Sequence, residues 1–310
     1  MKILITGGAG FIASHVADAY IKEGHEVVIV DNLATGYLKN LNPKAKFYQM
    51  DICDPAIAEV FAAEKPELVS HHAAQISVPL SIANPLLDAE TNVKGLITIL
   101  QNCVTHSVNK IIFISSGGAI YGEAEEYPTT ENYNPKPLSV YAINKMVGES
   151  YLYFYKHQYS LDYTVLRYAN VYGPRQVSHG EAGVVSLFIE KLLNGETPTI
   201  YRYPQEDDGM IRDYVFVGDV VKANLLVLKT GSGEAFNIGT GIETSTVNLY
   251  KEIETQMQTG IIPTFGTARQ GDIHNSLLDS SKAKNVLGWE PSYSLSEGIS
   301  EAIAYFKEQR

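Results

Sequence analysis

A phenol and an amine stand four residues apart in the segment YAINK, where Tyr141 is followed by Lys145. On a helix, this spacing places both side chains on one face. A phenol with a pKa of about 10 is a poor base at neutral pH, and lowering that pKa by about 3 units takes about 4 kcal/mol. The lysine and a second nearby cation can supply this stabilisation in a desolvated site. The pair therefore predicts a tyrosine that transfers protons.

A second polar segment, SSGGAIYG at 115–122, directly follows the apolar run IIFI. Two hydroxyls and two glycines at the end of a predicted strand are typical of an active-site wall. The segment alone leaves open which of its two hydroxyls, Ser115 or Ser116, works there.

A glycine-rich turn, TGGAGFIAS, follows the first predicted strand and opens the first predicted helix. Gly7 permits the tight turn, Gly10 lets the backbone approach a pyrophosphate, and Ala13 is small enough for close packing of helix on strand. The free N–H groups of the helix then face the phosphates. The alternative is a purely structural turn, but the strand–turn–helix context favours a dinucleotide site.

Two aspartates at predicted strand ends indicate which dinucleotide binds. Asp31 ends the second strand, where a carboxylate accepts the ribose hydroxyls and repels a 2′-phosphate, so NAD is favoured over NADP. Asp51, at the end of the third strand, is placed to reach the adenine amine. The alternative is that both are ordinary surface aspartates.

Short apolar runs alternate with helical patterns through the first half of the chain. Strands are predicted at 2–6, 26–30, 47–50, 68–71, 110–114 and 163–166, and helices at 16–23, 91–103 and 141–155. The alternation predicts an α/β fold, a Rossmann-type doubly wound parallel sheet. We expect residues 1–172 to form this dinucleotide-binding domain and residues 173–310 to form a smaller α/β substrate domain. Some later segments can return to the first domain.

The composition limits what the chain binds and where it works. The net charge of -11 repels phosphate backbones and argues against nucleic acid as a partner. No run approaches the ~20 apolar residues of a membrane span, and no signal peptide precedes Gly7. Cys53 and Cys103 fit neither a CxxC motif nor a zinc spacing, so we expect reduced thiols, no metal and a cytoplasmic protein.

Several motifs occur together and in order along nearly the whole chain. They are TGGAGFIAS, HHAA at 71–74, SSGGAIYG, YAINK, LRYANVYGPRQ at 166–176, IRDYVFVGDVV at 211–221, FNIGTG at 236–241, RQGD at 269–272 and LGWEP at 287–291. As a set they resemble the extended short-chain dehydrogenase/reductase family, and within it the UDP-sugar 4-epimerases.

The resemblance implies a role for each matching residue. Tyr141 is the implied base, and Lys145 binds the nicotinamide ribose and lowers the pKa of the tyrosine. The implied lining of NAD is Gly7, Gly10, Phe11, Ile12, Asp31, Asn32, Asp51, Ile52, Ala73, Ala74 and Asn92, with Tyr141 and Lys145. The implied contacts of a UDP-sugar are Ser116, Gly117, Asn170, Arg212, Arg269, Asp272 and Ser276.

Within that substrate set, the resemblance implies that Asn170 holds the diphosphate and that Asp272 lies near the uridine. Arg212 and Arg269 would pair with the phosphates, which suits the bidentate fork of a guanidinium group. For each arginine taken singly, a surface salt bridge is the alternative.

The chain departs from the family at the third catalytic group, a serine or threonine four residues before the tyrosine of the YG pair. Here that position is Gly117. Ser116 is the nearest hydroxyl, but on an ideal strand it points to the opposite face. A twist or bulge at Gly117 and Gly118 would bring it round, so we expect Ser116 to serve. The alternative is that Tyr141 acts alone and Ser116 is structural.

The next residues indicate the reaction. Related dehydratases carry an Asp-Glu pair here and decarboxylases usually carry a glutamate, whereas Gly118 and Ala119 have no proton to give. This favours a UDP-hexose 4-epimerase with a transient 4-keto sugar. The alternatives are another NAD-dependent nucleotide-sugar enzyme, such as a dehydratase or an epimerase at another carbon, and a non-catalytic dinucleotide-binding regulator.

One position bears on the sugar. In the family, a bulky tyrosine at the place of Ser276 restricts the sugar to glucose and galactose. The small serine predicts room for an N-acetyl group, hence UDP-GlcNAc and UDP-GalNAc, with UDP-Glc and UDP-Gal as further substrates. The alternative is that a neighbour fills the space, such as the segment RYPQEDDG at 202–209.

The resemblance also implies a homodimer, formed through the helices near 91–105 and 142–157. Tyr151, Tyr153, Phe154 and Tyr155 cover more of the second helix than one core-facing stripe requires. The alternative is that these rings cover the protein's own second domain.

Overall fold

The computed structural model describes residues 1–177, 183–204, 206–268 and 272–310. Its strands are β1 (Lys2–Thr6), β2 (Glu26–Asp31), β3 (Lys46–Gln49), β4 (Leu68–His71), β5 (Lys110–Ser116), β6 (Asp162–Tyr168), β7 (Asn170–Tyr172), β8 (Thr199–Arg202), β9 (Ile211–Arg212), β10 (Tyr214–Phe216), β11 (Glu234–Ile238), β12 (Thr244–Ser245), β13 (Thr264–Thr267) and β14 (Asn275–Ser276).

Helices connect and cover these strands. They are α1 (Phe11–Lys22), α2 (Ile57–Glu64), α3 (Val78–Ala83), α4 (Pro85–Ala89), α5 (Gly95–Thr105), α6 (Gly117–Ile120), α7 (Val140–Tyr159), α8 (Val184–Leu193), α9 (Val217–Leu226), α10 (Thr246–Met257), α11 (Ser281–Leu287) and α12 (Leu295–Glu308). A 3-10 turn spans Leu38–Asn40, and a π-helix spans Glu90–Lys94.

A parallel sheet in the order β11-β6-β5-β4-β1-β2-β3 forms the centre of the described fold. Its strands are buried on both faces, because alternate residues feed two separate cores. Ile3 and Ile5 of β1 pack on the side of α1 and α9, whereas Leu4 packs on the side of α2, α5 and α7. Such two-sided burial is typical of parallel sheets. It confirms the predicted Rossmann-type fold.

The first helix begins earlier than the apolar spacing predicts. Its predicted start at residue 16 is wrong, since α1 begins at Phe11, directly after Gly10. The predicted single helix over 91–103 is also wrong at its start, where the π-helix precedes α5. Apolar periodicity identifies the residues on the buried face of a helix. The first residues of α1 and α5 do not depend on that face alone, so periodicity did not locate them.

The later half of the chain builds smaller units beside the sheet. Strand β9 lies between β12 and β14, β8 pairs with β13, and β7 pairs with β10. Helices α8, α10 and α12 contribute to a third apolar core. Strand β11 returns to the main sheet beside β6, and α9 packs on α1. Across the described ranges, no helix is long and apolar enough to cross a membrane.

Helix α7 carries the Tyr–Lys pair and lies close against the sheet. The Ser139 hydroxyl caps its first turn by accepting from the Ala142 N–H. In its middle, Gly148 faces Phe113 of β5 and Leu96 of α5. A Cβ at position 148 would lie 2.7 Å from Phe113 Cζ and 3.0 Å from Leu96 Cδ2. The absent side chain therefore sets how closely α7 approaches β5.

We expect Gly148→Ala to lower the free energy of unfolding by about 1–2 kcal/mol, since overpacking outweighs the gain of about 1 kcal/mol in helix propensity. The measurement is urea unfolding. Ser150→Ala, at an exposed position of the same helix, is the matched control and is expected to be neutral or slightly stabilising. Equal stabilisation by both substitutions would contradict the close approach of α7 to β5.

Candidate active site

The structure brings Tyr141 and Lys145 together in the first two turns of α7. The Lys145 Nζ lies 5.8 Å from the centroid of the Tyr141 ring and 5.2 Å from that of Phe113. It donates to the Ile114 carbonyl of β5 at 2.9 Å. The ammonium is thus buried against two aromatic faces and one carbonyl oxygen.

The protein environment shifts the pKa values of Lys145 and Tyr141 in opposite directions. Burial lowers the pKa of Lys145 from 10.5 to about 8, although the carboxylates of Asp88 and Glu149 act to raise it. Burial raises the pKa of Tyr141 to about 12; hydrogen bonding with the Ser116 side chain lowers it, and Asp88 raises it. The phenol alone is therefore protonated at neutral pH, and its use as a base requires a further positive charge beside it.

The backbone changes direction at Gly117 and Gly118 by a helical turn. The register of β5 and β6 is unbroken to its last pair, Ser116 opposite Tyr168, so the change of direction falls after Ser116, at the two glycines. The chain passes directly from β5 into α6, with Ser116 as the N-cap residue of this helix. From this position the Ser116 side chain lowers the pKa of Tyr141 through hydrogen bonding, which puts the two groups on the same side of the site.

The two glycines after Ser116 face different surroundings. A Cβ on Gly117 would lie 2.5 Å from Leu278 Cδ1 and 3.2 Å from the Arg167 carbonyl oxygen, so this position faces packed atoms. A Cβ on Gly118 would meet Asn170 Oδ1 at 3.0 Å and Ser276 Oγ at 3.8 Å. The structure therefore brings Gly118 into the group with Asn170 and Ser276, and it turns Gly117 toward Leu278.

The turn after β1 has the shape that a dinucleotide requires. Gly7 has φ +71°, and a Cβ there would lie 2.7 Å from the Ala73 nitrogen. Helix α1 starts after Gly10 with no side-chain cap, which leaves its first N–H groups, at Phe11 and Ile12, facing the turn. A tight glycine-lined approach to an uncapped helix end fits the pyrophosphate of NAD.

The carboxylates at the adenosine end are held by backbone amides. Asp31 accepts from the N–H groups of Ala9 at 2.9 Å and Leu33 at 2.7 Å, which fixes it beside the glycine turn. Asn32 donates to Asp51 at 2.8 Å. Burial raises the pKa of Asp51, but hydrogen bonds from the Cys53 backbone and Asn32 bring it below its ordinary value. Ile52 is buried next to this aspartate.

A buried carboxylate that the sequence reasoning missed links this region to α7. Asp88 is fully buried and accepts from the side-chain amides of Gln75 at 2.6 Å, Asn92 at 3.1 Å and Asn144 at 2.6 Å. Gln75 follows Ala73 and Ala74, and Asn144 precedes Lys145. The spacing of Asp88 four residues before Asn92 was the available signal, since it allows a contact along one helix face.

Two of the predicted substrate residues of the later half, Arg212 and Ser276, meet on the small sheet around β9. Ser276 pairs with Arg212, and Arg212 Nη1 donates to the carbonyls of Ile211 at 2.8 Å and His274 at 3.1 Å. The Tyr203 hydroxyl donates to the Asp272 carbonyl at 2.6 Å, and its ring stacks on His274 at 3.7 Å. Arg269 lies outside the described residues.

A model of the NAD dependent epimerase/dehydratase family matches residues 3–239. The UDP-glucose 4-epimerase of Thermotoga maritima, solved with UDP-glucose, is 47% identical, with a TM-score of 0.97 over 100% of this chain and 99% of that one. The UDP-glucose 4-epimerase of Thermus thermophilus, solved with NAD, is 40% identical, with a TM-score of 0.94 over 99% of each chain.

A third solved structure bears on the sugar. The UDP-N-acetylglucosamine 4-epimerase of Methanobrevibacter ruminantium, in complex with UDP-N-acetylmuramic acid, is 33% identical, with a TM-score of 0.93 over 100% of this chain and 99% of that one. These matches confirm the resemblance that the motifs indicated, the fold and the NAD cofactor.

The buried Lys145 makes stability depend on pH in a defined direction. Its pKa is about 8 in the folded protein and 10.5 ordinarily, so the unfolded chain binds more protons between these values. The cost of burying the ammonium is fully present below pH 8 and disappears as the pH rises toward 10.5. The difference amounts to about 3 kcal/mol.

We therefore expect the free energy of unfolding of the wild type, relative to Lys145→Met, to rise by most of that amount from pH 7 to pH 10. Urea unfolding at several pH values measures this difference. Lys44→Met, at an exposed lysine, is the control and should show no such trend. A constant difference between the wild type and Lys145→Met would show that the ammonium is not destabilised by burial.

Proposed function

The chain belongs to the NAD-dependent epimerase/dehydratase family and uses NAD, and on that premise we propose that it is an isomerase that interconverts UDP-hexoses differing in configuration at C4. One observation carries the proposal. The Tyr141 phenol, the Lys145 ammonium and the Ser116 side chain converge at the end of β5, close to a turn that fits a dinucleotide.

In this proposal, each side chain has a distinct task. Bound NAD supplies a reversible hydride acceptor and a positive charge near the phenol. Tyr141 removes the proton from the sugar 4-hydroxyl and later returns a proton to the 4-keto oxygen. Lys145 stabilises the phenolate, and Ser116 holds the 4-oxygen by a hydrogen bond. The need of Tyr141 for added positive charge, given its pKa of about 12 in the protein alone, supports this division.

The neighbours of Ser116 support epimerisation over elimination of water. Loss of water needs an acid for the departing hydroxyl and a base for the carbon-bound proton. Gly118, the residue that faces Asn170 and Ser276, carries neither, and Ala119 beside it carries neither. A site with one phenol and one hydroxyl suits oxidation and re-reduction at a single carbon.

The finer proposal concerns the sugar. The solved relatives that are 40% and 47% identical are UDP-glucose 4-epimerases, which supports UDP-Glc and UDP-Gal as substrates. The small side chains at Gly118 and Ser276, together with the relative named for UDP-N-acetylglucosamine, support UDP-GlcNAc and UDP-GalNAc as well. The Tyr203 ring of the segment 202–209 stacks on His274, and its hydroxyl donates to the Asp272 carbonyl.

We also propose that the protein works as a homodimer in the cytoplasm. Several apolar side chains near α4 and α7 are exposed in the single chain, among them Leu86 (81%), Ile143 (42%), Tyr153 (69%) and Phe154 (49%). A second copy packed on this face would bury them. The free thiols of Cys53 and Cys103 suit a reducing compartment.

We expect Tyr141→Phe to lower kcat about 10²- to 10⁴-fold, because the general base is removed, and Ser116→Ala to lower kcat about 10-fold or more. Anomeric proton NMR with UDP-Glc and UDP-GlcNAc, without added cofactor, measures the turnover. Tyr159→Phe, at an exposed tyrosine of α7, is the matched control. Substantial turnover of Tyr141→Phe would refute the mechanism, and wild-type turnover of Ser116→Ala would leave Ser116 a structural role.

We expect Ser276→Tyr to lower kcat/KM for UDP-GlcNAc by about 10-fold or more, since the phenol ring would occupy the space of the N-acetyl group. Its kcat/KM for UDP-Glc is expected to stay within a few fold of the wild type. Ser276→Ala keeps the pocket open and serves as the control. Exclusive use of UDP-Glc by the wild type would contradict the N-acetyl proposal.

A further inference from the structure

A continuous series of buried and half-buried polar contacts begins on α7, one turn beyond Lys145, and the proposed mechanism does not use it. The Glu149 carboxylate accepts from Arg167 of β6 twice, Nη2 to Oε2 at 2.6 Å and Nε to Oε1 at 3.1 Å. The Ser115 hydroxyl, next to Ser116, donates to Glu149 Oε1 at 2.6 Å. The carboxylate therefore fastens the catalytic helix to the strand that carries Ser116.

The third guanidinium nitrogen of Arg167 extends the series to a tyrosine. Arg167 Nη1 donates to the Tyr121 hydroxyl at 2.7 Å, and this hydroxyl donates to Asn237 Oδ1 at 2.8 Å. The tyrosine is 3% exposed. Burial raises the pKa of Tyr121 to about 12, while Arg167 lowers it. The phenol therefore keeps the proton that it donates to the amide.

Asn237 of β11 extends this series of hydrogen bonds to the side of the site that carries Ser276. Its Nδ2 donates to the carbonyls of Thr129 at 2.9 Å and Asp279 at 3.2 Å. The Thr129 N–H in turn donates to the Leu277 carbonyl at 2.8 Å. Leu277 directly follows Ser276, so the last contact holds the segment that bears the proposed sugar wall.

We propose that Tyr121 is a positioning residue whose hydroxyl sets the distance between the side of the site that carries Tyr141, Lys145 and Ser116 and the side that carries Ser276. The proposal rests on the proposed function. Its physical basis is that one hydroxyl both accepts from Arg167 and donates to Asn237. A phenylalanine there keeps the volume but leaves two buried polar groups without their partner.

This reaction is sensitive to such a distance. A 4-epimerase must present both faces of C4 to the same phenol at the same separation, in two orientations of the sugar. A misplacement of about 1 Å between reacting groups costs about 10²-fold in rate. A changed distance alters the geometry of the reacting groups more than the contacts with the diphosphate. We therefore expect kcat to change while KM changes little.

The chain offers a closely matched control on the same strand as Arg167. Tyr168 is also 3% exposed, and its ring lies in the same apolar core as Tyr121. Its hydroxyl accepts from the side-chain amide of Asn224 at 2.7 Å, on the side of α9. Tyr121→Phe and Tyr168→Phe thus each remove one buried hydroxyl bonded to an asparagine, and only the former interrupts the series.

The test compares the wild type, Tyr121→Phe, Tyr168→Phe and Arg167→Lys by Tm and by kcat and KM with UDP-Glc and UDP-GlcNAc. We expect Tyr121→Phe to lose kcat at least 10-fold with KM within 3-fold, and Tyr168→Phe to keep kcat within 2-fold at a similar Tm. Arg167→Lys keeps the positive charge without the fork that serves two partners. Arg167→Lys is expected to lose kcat to the same extent as Tyr121→Phe. If Tyr121→Phe fails to fold, Arg167→Lys tests the proposal by itself.

The outcomes separate the two proposals. An active wild type with unchanged kcat in Tyr121→Phe and Arg167→Lys overturns the positioning role alone. Equal losses in Tyr121→Phe and Tyr168→Phe that follow their Tm values also overturn it, because they indicate a merely structural hydroxyl. A wild type that turns over neither UDP-sugar overturns the proposed function and the positioning role that depends on it.

Discussion

The ammonium of Lys145, buried under the ring of Tyr141, is the interaction on which the site depends. Burial alone favours the neutral amine, and the protein opposes this with two carboxylates, those of Asp88 and Glu149. Neither carboxylate is left without partners. Three side-chain amides surround Asp88, and Arg167 pairs with Glu149. The polar residues behind α7 thus stabilise the Lys145 ammonium at a position where burial alone favours the neutral amine.

The part of the proposed site that carries Arg212 and Ser276 is held in a different way, by one buried acid next to Arg212. Asp213 accepts from the backbone and hydroxyl of Thr240, and from the N–H groups of Gly241 and Leu278. Burial raises the pKa of Asp213, while these hydrogen bonds lower it. Strands of two residues, such as β9 and β14, have few ladder bonds of their own. The Asp213 carboxylate therefore holds the loops around β9 and β14 in place.

Local chemistry determined which parts of this molecule the sequence could predict. Apolar runs located the parallel strands, and the glycine turn before α1 indicated the dinucleotide site, because both depend on neighbours in the chain. The direction of Gly117 could not be predicted, since it depends on Leu278 and on the helical turn after Ser116. The contact of Tyr121 with Asn237 joins residues 116 positions apart, and no periodicity reports such a pair.

The return of β11 to the main sheet has a consequence for how the chain folds during synthesis. Until residue 238 has left the ribosome, β6 is an edge strand whose outer N–H and C=O groups have no partner in the sheet. Residues 1–172 therefore cannot complete the hydrogen-bond ladder of the main sheet on their own, although their strands and helices come first. A fragment that ends before β11 would leave the seven-residue edge of β6 open to pairing with other chains, so the main sheet is complete only once residues 234–238 are available.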